Sequence, residues 1–120
     1  MNSLANLSCT THYKNEHKLG EADIKQYLEH LNDWQLSEHS ESELPVLERI
    51  FTFKGYLQGV EFTQQVATIA EAQNHHPEIL LTYGKVTISW WTHALKGLHL
   101  NDFICAAKCD EIYTQLKVQK

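Results

Sequence analysis

The length and charge of the chain exclude several classes of protein. Its 120 residues suffice for one hydrophobic core and are too few for two ordinary domains. Ten lysines and arginines against 15 aspartates and glutamates give a formal charge of -5, which disfavours direct binding to nucleic acid. The sequence lacks both an apolar run near the roughly 20 residues that cross a bilayer and a secretory signal pattern. We therefore predict a cytoplasmic protein with no membrane partner.

The cysteines predict free thiols and no disulfide framework. There are three, an odd number, so any pairing within the chain leaves one unpaired. Cys105 and Cys109 lie one helical turn apart and are interpreted as small buried hydrophobic residues. Cys9 and His12 offer only two potential metal ligands, which is a weak metal signal.

The first half of the chain predicts a leader, a helix and a hairpin. Residues 1–19 are polar and without a sustained period, which indicates a poorly ordered leader, and residues 20–118 form one domain. Apolar residues at helical spacing predict a helix over residues 21–31. An extended stretch over residues 34–38 and a run of branched and aromatic residues over 46–54 predict a pair of antiparallel strands.

The second half repeats this pattern. Helical spacing predicts a central helix over residues 57–74, which Pro77 closes, because proline disfavours helix in the preceding residue. Residues 79–82 and 85–91 predict a second hairpin around Tyr83-Gly84, and residues 100–116 predict the last helix. The order α-β-β-α-β-β-α predicts an α+β fold, in which one four-stranded antiparallel sheet carries three helices on one face.

A set of histidines and acids in the second half suggests an active site. Glu71 falls in the last turn of the central helix, and His75 and His76 follow in the adjoining loop. His93 comes at the end of the fourth strand, and Asp102 in the first turn of the last helix. Imidazoles titrate near neutral pH, so several of them beside orienting acids can both donate and accept protons. The pattern predicts proton-transfer chemistry.

Other interpretations of these residues stay open. A His-His pair is often a solvated loop, and an acid in the first turn of a helix is expected from the helix dipole alone. Three imidazoles and a water would also suit catalytic zinc, although adjacent histidines are awkward ligands for one ion. The other five histidines are predicted to lie on the surface: His12, His17, His30, His39 and His99.

At these positions the chain resembles the pterin-4a-carbinolamine dehydratase family. The shared pattern, in order and spacing, is Glu71-x3-His75-His76-Pro77-Glu78, Tyr83-x-Lys85-Val86-x-Ile88, Thr92-His93 and Gly97-Leu98-x3-Asp102. Weaker similarity reaches back to Trp34, and the resemblance covers about residues 19–113.

The resemblance implies an enzyme that removes water from 4a-hydroxytetrahydrobiopterin to give quinonoid dihydrobiopterin. This would recycle the cofactor of aromatic amino-acid hydroxylases such as phenylalanine hydroxylase. The pterin is the substrate, and neither a metal nor an organic cofactor is implied. The implied catalytic residues are His75, His76 and His93, with His75 and His93 as acid/base candidates and His76 mainly holding the pterin. Glu71 and Asp102 would orient imidazoles or ring nitrogens, and Asn74, Trp91 and Thr92 would flank the cleft.

The resemblance also bears on assembly and on alternative functions. Family members form dimers or tetramers, so a homodimer or homotetramer is expected. Some relatives are dimerisation partners of a transcription factor, and others serve molybdopterin-linked pathways, so an interaction module and a pterin-binding protein remain alternatives. A hydroxyl residue often precedes the last helix where this chain has His99, which predicts a weaker helix cap by roughly 0.5–1 kcal/mol.

Overall fold

The computed structural model describes residues 4–10, 17–31, 33–39 and 41–118. Helices and strands follow one another there in the predicted order α-β-β-α-β-β-α, which confirms the α+β class. They are α1 (Glu21–Leu28), β1 (Gln35–Glu38), β2 (Pro45–Thr52), α2 (Tyr56–Gln73), β3 (Glu78–Thr82), β4 (Lys85–Trp90) and α3 (Leu100–Val118). Short 3-10 helices, which the sequence did not predict, include Leu4–Asn6 and His93–Leu95.

The four strands form one antiparallel sheet in the order β1-β2-β4-β3. Both predicted hairpins are present, β1 with β2 and β3 with β4, and the pairing of β2 with β4 joins them. Gly84 has a φ of 75° in the tight turn between β3 and β4, a conformation that favours glycine. The centre of the sheet therefore combines one strand from each hairpin.

The core lies between the sheet and helices α2 and α3. Along β4, Val86, Ile88 and Trp90 are all fully buried, because alternate residues of a strand share one face of the sheet. Phe62 of α2 faces the sheet and packs on Phe51 of β2, with ring centroids 4.6 Å apart. No helix within the described residues covers the opposite face, and Ile50 and Leu80 are 51% and 59% exposed there.

The ends of several elements differ slightly from the predictions. Helix α1 ends at Leu28 and continues as turns rather than reaching residue 31. Strand β2 begins at Pro45, where a strand tolerates proline because the first residue need not donate to the ladder. None of the described helices has both the length and the apolar character needed to cross a membrane.

Part of the predicted leader packs against the domain. Residues 4–10 lie along α3, and the Lys108 ammonium donates a hydrogen bond of 2.6 Å to the Ala5 carbonyl. Further along, the Leu19 N–H donates to the Leu98 carbonyl at 2.9 Å. The domain boundary at residue 19 stays a prediction, and His12 lies outside the described residues.

Candidate functional site

The site is built around a buried pair, His75 and Asp102. Helix α2 ends at Gln73, and Asn74 adopts the left-handed conformation with φ 53° and ψ 41°, which turns the chain back towards the protein. His75 is therefore only 7% exposed, and its Nε2 lies 2.6 Å from Oδ1 of Asp102. Because a carboxylate can only accept, the ring N–H is the donor.

Asp102 accepts further hydrogen bonds through its second oxygen. Its Oδ2 accepts from the Thr92 hydroxyl and from the His99 N–H, each at 2.9 Å. The side chain of Asp102 is fully buried, so these donors replace the water that a carboxylate would otherwise require. They hold the carboxylate in one orientation and thereby fix the ring of His75.

Trp90 provides a second constraint on His75. The two rings are stacked, with centroids 5.5 Å apart and planes 16° from parallel. The side chain of Trp90 is fully buried in the core. Its contact with His75 depends on how α2 and β4 meet, which a strand pattern does not specify.

The prediction that His99 is a surface residue is wrong. His99 precedes α3 and is 6% exposed, with its Nδ1 accepting a hydrogen bond of 2.9 Å from the Asn101 N–H. Asp102 in turn accepts from the His99 N–H, so the two side chains form the reciprocal pattern of a capping box. Imidazole thus supplies the acceptor that a hydroxyl provides in the usual cap, which removes the reason for expecting a weaker one.

The His99 cap predicts a pH-dependent contribution to stability. Burial lowers the pKa of His99, opposed by Asp102 and reinforced by His17 and His75. As the pH falls below about 6.5, His99 takes up a proton in the unfolded chain before it does so in the folded protein. The contribution of the neutral His99 cap to stability is therefore complete above that pH and is lost on acidification. We expect the unfolding free energy to fall more steeply from about pH 7 to 5 in the wild type than in His99→Asn.

Asparagine keeps a cap acceptor but does not titrate, so the variant isolates the imidazole. Urea unfolding at a series of pH values provides the measurement. Equal slopes in the two proteins would show that His99 does not contribute.

A second histidine–acid pair is exposed. His76 Nε2 lies 2.5 Å from Oε1 of Glu71, but the side chains are 56% and 80% exposed. Water competes strongly for such a pair, so it adds little to stability. It leaves an imidazole at the surface, directly beside buried His75.

His93 is held by a closed loop. Thr92 and Gly97 form an isolated antiparallel β-bridge, in which the Thr92 N–H donates a hydrogen bond of 2.9 Å to the Gly97 carbonyl. His93 is exposed, and its side chain makes no hydrogen bond to any residue in the described ranges. Since adjacent Cα atoms are about 3.8 Å apart, its backbone lies next to a residue that bonds Asp102.

The remaining predicted site residues lie in different environments. Asn74 is an exposed helix cap, and its N–H bonds to the carbonyls of α2. Trp91 packs against His39, with ring centroids 4.9 Å apart. Of the eight predicted residues, the structure joins His75, Asp102 and Thr92 directly, and it joins His76 to Glu71.

The described residues contain no group of three or more histidine, cysteine or acidic side chains arranged to hold a metal ion. A cavity of about 440 Å³ lies elsewhere, between the end of β2, the start of α2 and the end of α3. None of the predicted site residues lines it.

This arrangement can move protons. In His75 one ring nitrogen is committed to Asp102, which leaves Nδ1 for a ligand. His76, the next residue in the chain, and His93, which follows Thr92, both have exposed side chains. The site therefore combines one imidazole bonded to a buried, oriented carboxylate with two exposed imidazoles on neighbouring segments, and imidazoles can accept and release protons.

Comparison with known proteins gives a consistent result. A model of the family "Pterin 4 alpha carbinolamine dehydratase" matches residues 17–112. A protein of Vibrio vulnificus (strain YJ016) named "Putative pterin-4-alpha-carbinolamine dehydratase" is 51% identical over 88 residues, 73% of this chain and 78% of the relative. One of the same name from Marinobacter nauticus is 42% identical over 113 residues, 94% of this chain and 100% of the relative.

Two solved structures share the fold. A Brucella melitensis protein described as a transcriptional coactivator/pterin dehydratase has a TM-score of 0.72 and 29% identity, covering 80% of this chain and 98% of its own. A pterin dehydratase-like RuBisCO assembly factor of the alpha-carboxysome has a TM-score of 0.56 and 23% identity, covering 68% and 90%. At that identity the second supports the fold alone. The family model spans most of the chain, and this chain belongs to the pterin 4 alpha carbinolamine dehydratase family.

Proposed function

We propose that this chain dehydrates 4a-hydroxytetrahydrobiopterin, a pterin-4a-carbinolamine, to quinonoid dihydrobiopterin. The observation that carries the proposal is the buried His75–Asp102 pair, held by Thr92 and stacked on Trp90. Expelling the 4a-hydroxyl as water requires a proton delivered to that oxygen and a proton lost from a ring nitrogen. Imidazoles can do both, so the reaction needs no organic cofactor.

His75 is the first proposed acid/base group. Its Nε2–H donates to Asp102, so Nδ1 is the nitrogen that exchanges a proton with the pterin. The Trp90 ring and the Asp102 carboxylate limit rotation of the imidazole. A positioned base of this kind contributes about 10²–10⁴-fold to a rate.

His93 is the second proposed acid/base group, and His76 is proposed to hold the pterin. Support comes from the exposure of both rings and from their places beside Thr92 and His75 in the chain. Glu71 would orient His76, as their hydrogen bond suggests. Asn74, Trp91 and Thr92 are proposed to flank the pterin.

The test is the rate of dehydration of freshly generated 4a-hydroxytetrahydropterin, followed by ultraviolet absorbance. We expect the wild type to be fast and indifferent to chelator. His75→Ala and His93→Ala should each lose about 10²–10⁴-fold, because each removes a proton-transfer group. His75→Gln keeps a donor for Asp102, which separates loss of chemistry from loss of fold.

The matched control is His30→Ala, which removes an exposed imidazole from the turn after α1. It should keep the full rate. No acceleration over buffer by folded wild-type protein would overturn the proposal, and loss of activity with chelator would instead indicate a zinc site.

The proposal includes a physiological setting. The enzyme would act in the cytoplasm and recycle the cofactor of an aromatic amino-acid hydroxylase such as phenylalanine hydroxylase. It would do so as a homodimer or homotetramer. The names of the two dehydratase relatives support the pterin chemistry, and the hydroxylase link and the oligomer rest on the resemblance to the family.

An interaction role is the second candidate, and the exposed sheet face favours it. Ile50 and Leu80 are the partners of Thr87 on the two neighbouring strands, so the three side chains lie in one row on one face of the sheet. Ile50 and Leu80 are both more than half exposed. The Brucella relative is described as a coactivator as well as a dehydratase. If this face mediates self-association, Leu80→Glu should reduce the mass measured by light scattering, whereas Glu61→Gln on α2 should not.

Measuring both mass and dehydration rate in Leu80→Glu distinguishes the interaction role from the dehydratase role. Loss of the oligomer with an unchanged dehydration rate would assign assembly to the sheet face and chemistry to the histidines. An unchanged mass in Leu80→Glu would exclude this face as the contact.

A further inference from the structure

The segment formed by residues 4–10 is fixed across the junction of α2 and α3. The Cys9 N–H donates to Oε1 of Gln73 at 2.7 Å. Thr10 and Asn101 exchange two hydrogen bonds, of 3.1 Å from the Thr10 N–H and 2.9 Å to the Thr10 carbonyl. The backbone at Cys9 is thus held by side chains from the end of one helix and the start of another.

This docking brings two thiols together. Cys9 Sγ lies 3.5 Å from Cys105 Sγ, although the residues are 96 positions apart in the chain. A disulfide has a sulfur–sulfur distance of about 2.05 Å, so the gap is small on the scale of a side-chain rotation. Cys9 is partly exposed, whereas Cys105 is fully buried.

The surroundings give the two thiols different roles. The hydrogen bond with Cys105 lowers the pKa of Cys9, with further lowering from His75 and Lys108 against the effect of burial. The same contact, together with burial, raises the pKa of Cys105. An oxidant from solvent reaches the partly exposed Cys9 before the buried Cys105, and the thiolate is the reactive form, so Cys9 is the site of attack and Cys105 is the thiol placed to resolve it.

We propose that Cys9 and Cys105 are a peroxide-responsive thiol pair that forms a reversible disulfide between the N-terminal segment and α3. The Cys9 thiolate attacks one oxygen of hydrogen peroxide, forming an S–O bond, breaking the O–O bond and releasing hydroxide. The Cys105 sulfur then attacks the Cys9 sulfenic acid, loses its proton, and displaces water as the S–S bond forms. Two thiols and one peroxide thus give one disulfide and two waters.

The position of the pair connects it to the histidine site. Cys105 lies one helical turn after Asp102, and Gln73, which binds the Cys9 N–H, lies two residues before His75. A disulfide here would fasten the N-terminal segment to α3 one turn after Asp102, next to the end of α2 that precedes His75. The inference concerns oxidation and does not depend on the proposed dehydration.

The test uses the reduced full chain, hydrogen peroxide, and alkylation of remaining thiols before peptide mapping. We expect a Cys9–Cys105 cross-linked peptide, a monomer mass lower by two hydrogens, and full reversal by dithiothreitol. Cys109→Ala is the matched control, because it removes a buried thiol one turn further along α3. It should cross-link as the wild type does.

Two variants and one further measurement sharpen the outcome. Cys105→Ser should yield Cys9 sulfenic acid, which dimedone traps, and Cys9→Ser should yield no cross-link while leaving the core intact. Hydrogen exchange at the Cys9 and Thr10 amides should slow in the oxidised wild type. Sulfinic acid at Cys9 beside a free Cys105, or cross-linking only after denaturation, would overturn the proposal.

Discussion

Asp102→Asn is expected to lose about 10²–10⁴-fold in the dehydration rate while the protein still folds. The Oδ2 position accepts from Thr92 and His99, so the amide oxygen of the variant must occupy it. The amide NH2 then faces Nε2 of His75 and requires that nitrogen to accept. The proton of the imidazole moves to Nδ1, and the nitrogen proposed to accept the substrate proton can no longer do so.

Three measurements check this result. Nitrogen NMR of the imidazole should report the change of tautomer in His75, and the rate should fall with it. Urea unfolding should show a loss of about 1–3 kcal/mol, since a charge-assisted bond is replaced by a neutral one. Asp102→Ala should unfold more readily, because it leaves three buried donors without an acceptor.

Asp23→Asn serves as the control, because it removes an exposed carboxylate from the first turn of α1. It should change neither rate nor tautomer. A fully active Asp102→Asn protein with an altered tautomer would exclude His75 Nδ1 as the proton acceptor. An unaltered tautomer would contradict the hydrogen-bond assignment itself.

The sequence predicts the helices and strands well because their patterns are local. Val86, Ile88 and Trp90 alternate with polar residues, and burial of one sheet face follows directly. The docking of residues 4–10 has no such pattern. It rests on hydrogen bonds that the Cys9 and Thr10 N–H groups donate to the side-chain oxygens of Gln73 and Asn101, which leave no apolar period to detect.

The site was predictable only in part, for a similar reason. The sequence identified His75 and Asp102, but the capping role of His99 depends on a ring nitrogen meeting one backbone N–H. Histidine is not among the usual cap residues, so its position before α3 gave no signal. The remaining clue was the acid three residues after His99, the spacing of a capping box.

Asp110→Ala is expected to lower the unfolding free energy by about 3–5 kcal/mol. Its Oδ1 accepts from the Arg49 guanidinium at 2.6 Å and from the Trp34 indole N–H at 2.8 Å. The side chains of Arg49 and Asp110 are only 12% and 19% exposed. Removing the carboxylate leaves a cation and an indole donor largely shielded from water, and urea unfolding measures the cost.

Asp33 provides a matched control for the same guanidinium. Its Oδ2 lies 3.5 Å from Arg49, but its side chain is 78% exposed. Water screens such a pair, so Asp33→Ala should cost at most about 1 kcal/mol. Equal losses in Asp33→Ala and Asp110→Ala would show that burial does not set the strength of these contacts.

A double substitution separates the value of the pair from the penalty of breaking it. Arg49 also lies over the rings of Phe51 and Tyr113, at 4.4 and 5.2 Å from their centroids, so an apolar replacement retains much of its packing. Arg49→Met combined with Asp110→Leu removes both charges at once. Because a buried ion pair often contributes little over apolar residues of similar volume, the double variant should be more stable than Asp110→Ala. A double variant as unstable as Asp110→Ala would mean that the ion pair itself stabilises the packing of α3 on β2.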